Sequence, residues 1–242
     1  MKKQDKFDFK KITGWAKDYT PEQLIAYLEP VYIQKQIDKT IKSLKIEENY
    51  SSDIIIEIMT EEEYKGEVDK LNINYSFSSS RFGTVMISST TKGVCYMGFA
   101  DDDEAEAIKE LKRRFPYANY LKREDDYQRN ALSVFDNPEG SGKKIRLHLK
   151  GTSFQVSIWR KLLQIPFGGL VSYASLTGDI KKSRAAGTAV GDNPVGYLVP
   201  CHRAVRTNGE FGQYYWGPDR KAALISWEAA ISNEQSIDNS LI

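Results

Sequence analysis

Cysteine and histidine are scarce in this chain, with two of each among 242 residues. Cys95 and Cys201 allow at most one disulfide, and their spacing has no extracellular staple pattern, so a reducing compartment is expected. A structural zinc site would consume nearly every Cys and His at spacings that do not match, so neither metal nor cofactor is expected. Also missing is any apolar run of the roughly 18 residues that span a bilayer. The opening MKKQDKFDFKK has no apolar stretch behind its charges, which argues against a secretory signal. A cytoplasmic protein with no membrane partner is expected. A dominant sign of charge is lacking too, since 34 Lys and Arg oppose 33 Asp and Glu. That balance hides a split: residues 142–230 carry 13 basic against 5 acidic residues, and the remainder 21 against 28. Only the later segment is suited to a polyanion.

A hydrophobic content of 40% with 12% aromatics belongs to a folded globular chain with room for one large domain or two modest ones. Thr20-Pro21-Glu22-Gln23 reads as an N-cap, a first-position proline and a capping-box glutamine. Ile25, Leu28 and Val31, then Ile33, Ile37 and Ile41 beyond Pro30, predict two short amphipathic helices. The basic residues of this stretch are balanced by acidic ones, so it is not expected to bind DNA. A break is expected at Ser51-Ser52, and residues 54–58 are β-prone. From Leu71, alternating segments over 73–77, 83–88 and 93–99 predict a meander. A helix follows from the acids at 101–104, with Ala105, Ile108, Leu111 and Phe115 on one face and Pro116 at its end.

Residues 137–142 read as a linker. Phe154, Ile158 and Leu162 mark a helix capped by Thr152 or Ser153. Ser172 is placed as the cap of a second helix containing Leu176, and Ser183 as the cap of a third across Ala185, Ala186 and Ala189. Short helices with small residues and tight turns match a helix-turn-helix. The alanines either serve close helix packing or thin a helix that approaches DNA. Residues 221–230 predict a last long helix. The expected fold class is α+β: a small N-terminal α/β domain with a three-stranded or larger sheet, then a mainly helical C-terminal domain with a helix-turn-helix-like motif. The expected divisions are a helical, charged extension over 1–70 with no assigned role, an α/β domain over 71–138, a catalytic and DNA-binding domain over 139–230, and a flexible tail over 231–242.

Chemistry concentrates at Pro200-Cys201-His202-Arg203, where one of the two cysteines adjoins one of the two histidines. Thiolate sulfur is the strongest ordinary side-chain nucleophile once its proton is managed. Adjacent side chains diverge, so a direct Cys–His contact is not guaranteed and a water relay is easier to build. The imidazole needs an orienting carboxylate. Glu228 lies among Leu224, Ile225 and Trp227, so it is either that carboxylate or an ordinary exposed helix residue.

Several stretches then form a pattern: Gly151-Thr152-x-Phe154-Gln155, Ile158-Trp159, Ile165-Pro166-Phe167-Gly168, Ser172-Tyr173 and Arg184-Ala185-Ala186-Gly187. Asn193-Pro194, Val199-Pro200-Cys201-His202-Arg203, Gly212-x-Tyr214, Trp216-Gly217 and Arg220-Lys221-x-x-Leu224-x-x-x-Glu228 continue it. The pattern closely resembles the O6-alkylguanine-DNA alkyltransferase family, especially its bacterial adaptive-response type, over roughly residues 71–230. The resemblance implies that Cys201 accepts the alkyl group, His202 is a water-mediated base and Glu228 orients it. It implies that Asn193 is the hinge between the recognition helix and the active-site turn. Arg184 matches the residue that fills the space of a flipped nucleotide. Tyr173 matches the one that crowds the flipped guanosine and assists its departure. Ala185, Ala186, Gly187, Arg203 and Ser172 are placed with Arg184 at the DNA, and Val199, Pro200, Tyr214 and Tyr215 with Tyr173 in the substrate pocket.

The implied function is stoichiometric, single-turnover repair of O6-alkylguanine in double-stranded DNA by a monomer, at the nucleoid of a bacterium. The alternatives weighed are a lesion sensor without efficient transfer, a methylation-responsive transcription regulator and a Cys-His hydrolase. Three departures stand out. The interval from Tyr173 to Arg184 is shorter than usual for the family, Gly169-Leu170 replace a more polar pair, and bulky Tyr215 is expected to favour methyl over large alkyl groups. Residues 59–65 faintly resemble the segment that ends an AraC-like region in the fused regulators, whose metal-binding cysteines are absent here.

Overall fold

The structure is a computed structural model that describes residues 7–46, 53–67, 69–101, 103–137 and 142–238. Polar caps set the first helices. Helix α1 (Phe9–Trp15) starts where the Asp8 carboxylate accepts from the amides of Lys10 and Lys11. In α2 (Pro21–Ala26) the capping box read from the sequence is present in both directions, Thr20 with Gln23. Pro30 then opens α3 (Pro30–Ile46), at a position where a missing N–H costs nothing. The two helices expected on either side of Pro30 are thus α2 and α3, and α1 precedes them as a further helix that the sequence reading did not place.

Strand β1 (Ile54–Ile58) leads to α4 (Glu61–Lys65), which has its own Thr60–Glu63 capping box and stops at Gly66 in the left-handed conformation, φ 68°. Strands β2 (Asn72–Ser80), β3 (Gly83–Ser89) and β4 (Val94–Phe99) form the expected antiparallel meander. Helix α5 (Glu104–Arg114) is capped by Asp103. It buries Leu111 and its C-cap Phe115 and leaves Ala105 exposed. Strand β5 (Asn119–Lys122), helix α6 (Asp126–Leu132) and strand β6 (Ile145–Leu149) follow. The sheet has six strands in the order β1-β6-β4-β3-β2-β5. Strand β1 pairs in parallel with β6 from Ile54↔Ile145 to Ile58↔Leu149. Residues 54–58, read as part of the N-terminal extension, are thus an edge strand whose partner comes some ninety positions later, a pairing that local pattern cannot reveal.

The chain continues through α7 (Ser153–Leu162), β7 (Val171–Ser172), α8 (Tyr173–Thr177), α9 (Ser183–Gly191), β8 (Ala204–Val205) and α10 (Pro218–Asp238). Thr152, not Ser153, caps α7: its hydroxyl accepts from the Gln155 amide at 3.2 Å, and the Gln155 side chain accepts from the Thr152 amide at 2.8 Å. Phe154, expected on the buried face, is 41% exposed, while Ile158, Trp159 and Leu162 are buried. Helix α10 runs past residue 230 to Asp238, so the expected tail is helical over 231–238, and 239–242 lie outside the described residues. Residues 138–141 of the expected linker and the expected break at Ser51-Ser52 also lie outside them.

The described residues fall into two compact units that interleave along the chain. One comprises residues 53–156 with Asn193–Val199 and contains the sheet. Its core gathers Met59, Ile73, Met86, Cys95, Tyr96, Leu111 and Phe115. The other comprises residues 7–46, Ser157–Asp192 and 200–238. In it Ile33 and Ile37 of α3 pack with Leu170, Val205 and Ile225. The Leu170 amide donates to Thr40 at 3.1 Å, and Asn233 donates to Tyr32 at 3.0 Å. The N-terminal helices are therefore part of the same core as α10 and the short β7–β8 ladder.

Candidate active site

Cys201 opens a single 3-10 turn, Cys201–Arg203, directly after Pro200, and is 4% exposed. Neither it nor Cys95 is in a disulfide. The next residue, His202, is fully buried, and its Nε2 lies 2.7 Å from Glu228 Oε1. Glu228 is 1% exposed on α10, which excludes the reading of an ordinary surface residue. Its carboxylate also accepts from Arg203 Nε at 2.9 Å, Arg203 Nη2 at 3.0 Å and the Gly168 amide at 3.2 Å. Burial alone would raise its pKa, but the Arg203 guanidinium and His202 overcome this and hold it at about 2. Burial lowers the His202 pKa, against the pull of Glu228. The pair is therefore a carboxylate and a neutral imidazole. An ionised carboxylate can only accept, so Nε2 carries the ring proton and Nδ1 is the basic nitrogen.

Arg203 is placed differently from the sequence reading. Expected at the DNA, it is clasped on Glu228 by two hydrogen bonds, donates a third to the Ile165 carbonyl at 2.7 Å, and lies over the Phe167 ring. A buried carboxylate needs a fixed counter-charge, and Arg203 supplies it.

Two tyrosines stand next to the sulfur. The Tyr214 hydroxyl is buried, and burial first, then the neighbouring Cys201, raises its pKa well above the ordinary value. The Tyr173 pKa is pushed up to about 12 by burial and then by Cys201. Both phenols therefore keep their protons and can donate. Lys221 is a residue whose role the sequence reading passed over. It is fully buried, donates to the Ala204 carbonyl at 2.6 Å and to the Tyr173 hydroxyl at 3.4 Å, and has its pKa lowered by burial to about 8. The signal was a lone lysine ahead of the apolar run Ala222-Ala223-Leu224-Ile225. The second histidine, His148, is buried and shares a 2.9 Å hydrogen bond with Thr90 in the other unit, and burial of the Cys95 thiol raises its pKa. Cys201 and His202 are left as the candidate reactive pair.

A groove of about 1080 Å³ is lined by Tyr173, Arg184, Gly187, Arg206, Tyr214 and Tyr215 among others. Its wall α9 packs against α8, and Trp159 Nε1 donates to the Ala189 carbonyl at 2.8 Å, anchoring α9 from below. Arg184 and Ala185 are exposed and Gly187 is half-buried. Ala186, expected at the DNA, is 0% exposed and belongs to the core, so the two readings of the alanines divide by helix face. Ser172, also expected at the DNA, is buried as the N-cap of α8, bonded to Ser175. Ser183 is the first residue of α9 and does not cap it. The short interval from Tyr173 to Arg184 takes the form of a five-residue α8, Gly178 at φ 68°, and a 3-10 turn over Ile180–Lys182. Gly212 has no room for a side chain, because a Cβ there would lie 2.4 Å from the Tyr173 hydroxyl. Tyr215 is 55% exposed at the groove and packs edge-on against Trp216.

Asn193 is buried in the turn that follows α9 in the chain. Its Oδ1 accepts from the Val195 amide at 3.1 Å, and its Nδ2 donates to the Val199 carbonyl at 2.8 Å, two positions before Cys201. Val199 and Pro200, expected in the substrate pocket, are buried and do not line the groove. Val199 contributes its backbone to the Asn193 turn. Among the described residues, no group of Cys, His, Asp and Glu side chains is arranged to hold a metal ion, and no helix is long and apolar enough to cross a membrane.

Residues 153–230 match the family model described as the 6-O-methylguanine DNA methyltransferase DNA binding domain. The chain is 31% identical over 176 residues to the inducible methylated-DNA–protein-cysteine methyltransferase of Bacillus subtilis, covering 71% of this chain and 98% of that protein. It is 32% identical over 176 residues to the bifunctional transcriptional activator/DNA repair enzyme Ada of Escherichia coli, of which it spans about half, 49%. The crystal structure of Mycobacterium tuberculosis O6-methylguanine methyltransferase superposes with a TM-score of 0.54 at 25% identity, over 65% of this chain and 93% of that one. The same mycobacterial protein in complex with DNA gives a TM-score of 0.53. With a relative 31% identical and matched almost end to end, the chain belongs to the methylated-DNA–protein-cysteine methyltransferase family.

Proposed function

We propose that this protein repairs O6-alkylguanine in double-stranded DNA by transferring the alkyl group irreversibly to its own Cys201, once per molecule. The observation that carries the proposal is the Arg203–Glu228–His202 set, with Glu228 and His202 buried, built on the turn that begins at Cys201. The alkyl group of the lesion sits on the Watson–Crick edge, so the nucleotide must leave the stack, and a weakened lesion pair lowers that cost. Arg184, exposed on α9, fills the vacated space, and Ala185 and Gly187 let the backbone come close. His202 Nδ1 takes the thiol proton through a water. The thiolate then attacks the alkyl carbon, forming the S–C bond as the C–O6 bond breaks, and the electron pair leaves on guanine. Tyr173 donates its proton to the departing base, and the Lys221 ammonium beside its hydroxyl stabilises the resulting phenolate.

The thioether has no hydrolytic exit, so the protein is spent after one transfer. All groups named lie between residues 173 and 228 of one chain, which supports action as a monomer. The presence of Cys201 disfavours a sensor that binds without transfer.

Intact-protein mass after incubation with a duplex containing one O6-methylguanine tests the proposal. A gain of about 14 mass units, one CH₂ equivalent, is expected on the parent protein and not on Cys201→Ala. A lesion bound tightly with no gain in mass would overturn transfer in favour of sensing.

A further inference from the structure

We propose that the exposed face of α3 is a second DNA-contacting surface, which grips the phosphate backbone of the duplex beyond the nucleotide on which Cys201 acts. The inference rests on reading the protein as one that binds duplex DNA. Helix α3 turns Ile33 and Ile37 into the core and leaves Val31, Gln34, Lys35, Asp38, Lys39 and Lys42 exposed. These residues, with Pro30 and Asn208, line a concavity of about 800 Å³.

Its charge is one-sided. Lys35, Lys39 and Lys42 follow one helix face at i, i+4 and i+7, against the single acid Asp38, which already accepts from Gln34 Nε2 at 3.2 Å. Among the described residues, none of the three lysines has a carboxylate partner. Along the first fifty residues basic and acidic side chains nearly cancel, but the helix sorts the lysines onto the one face that the core leaves free.

The surface is continuous with the groove beside Cys201. The chain makes a tight turn from Arg206 to Gly209, closed by the Gly209 amide donating to the Arg206 carbonyl at 2.9 Å. Arg206 and Thr207 line the first groove, and Asn208 lines the α3 concavity. Gly209, at φ 77°, lies against Pro30 at the start of α3. A duplex seated on α9 with its backbone over this turn continues onto the three lysines. From Lys35 to Lys42 the helix rises about 10 Å, which spans about three phosphates of one strand at roughly 3.4 Å each. The site is sequence-neutral and adds affinity without adding base readout.

The test is the salt dependence of binding to an O6-methylguanine duplex that extends past the lesion on both sides, using the full chain and Lys35→Gln/Lys39→Gln/Lys42→Gln. Losing three phosphate contacts is expected to reduce the slope of log K against log salt by about 2–3 and to weaken binding about tenfold or more near 0.15 M salt. The corresponding triple Lys→Arg variant is expected to keep the parent slope. Alkylation of Cys201 by free O6-benzylguanine is expected to be unchanged, because it needs no duplex. An unchanged slope overturns the proposal, whether the lysines are idle or serve an acidic protein instead. Weaker binding with an unchanged slope overturns it equally, since the loss would not be in phosphate contacts. Failure of the parent protein to gain about 14 mass units from the O6-methylguanine duplex would instead sink the transfer reading, while the slope still reports on α3.

Discussion

Glu228 accepts four hydrogen bonds from three residues, and each would be weakened if its charge were removed. Glu228→Gln leaves the largely enclosed Arg203 guanidinium, 13% exposed, without a counter-charge and offers the imidazole a neutral partner. Transfer to Cys201 is expected to slow by about 10²–10⁴, measured as single-turnover alkylation. Unfolding is expected to become easier by about 3–5 kcal/mol. The same group sets an acid limit. Its folded pKa of about 2 lies below the ordinary 4.5, so the stability it contributes is complete above about pH 5 and is lost as pH falls toward 2. His202 acts in the same direction, because the unfolded chain binds the proton that the buried imidazole refuses below its ordinary 6.5. Urea unfolding at pH 7, 5 and 3 should show that loss, and a flatter profile for Glu228→Gln. Lys221 sets a limit at the other end. Its ammonium deprotonates at about 8, so alkylation by free O6-benzylguanine should fall as pH rises through that value. A falling limb that persists in Lys221→Met would remove Lys221 from the chemistry.

At the scale of elements, α9 shows how one helix divides its labour. Its buried face, Ala186, Ala189 and Val190, sits on the core, while Arg184 and Ala185 are presented to solvent. Arg184→Ala is expected to cut repair of a lesion in duplex DNA by roughly tenfold or more, because the flipped-out space goes unfilled. The reaction with free O6-benzylguanine should be spared, and equal losses on both substrates would assign Arg184 to folding instead. The capping box of α2, the β2–β3–β4 meander and the Ser172 cap of α8 were all readable, since each depends on residues a few positions apart. The parallel β1–β6 pairing and the extension of α10 to Asp238 were not. One needs a long-range partner, and the other follows from contacts such as Asn233 with Tyr32 and Tyr19 with Glu234.

The whole molecule binds its first helices into the unit that carries Cys201. They lie outside the segment that matches the family model, yet α3 supplies Ile33 and Ile37 to the cluster with Leu170, Val205 and Ile225. The Trp15 ring covers the Arg220 guanidinium, which in turn donates to the Trp216 carbonyl at 3.0 Å behind Tyr214. Ile37→Ala is therefore expected to destabilise the protein by about 2–4 kcal/mol, seen as a lower urea midpoint with an unchanged slope. A change close to zero would show that the N-terminal helices can leave the core at no cost.

Read alone, the sequence singled out Cys201 with His202, left Glu228 with two readings, and placed the caps of α2 and α8, the meander and the basic half of the chain. Each of these is written in residue type, adjacency or short-range period. Only the tertiary structure decided that Arg203 serves Glu228 and not DNA, that Ala186 is core, that Lys221 stands beside Tyr173, and that α3 joins the core of the Cys201 unit. Those outcomes depend on which distant groups meet in the dry interior, where a buried charge must find its partner, and spacing along the chain carries no record of that meeting.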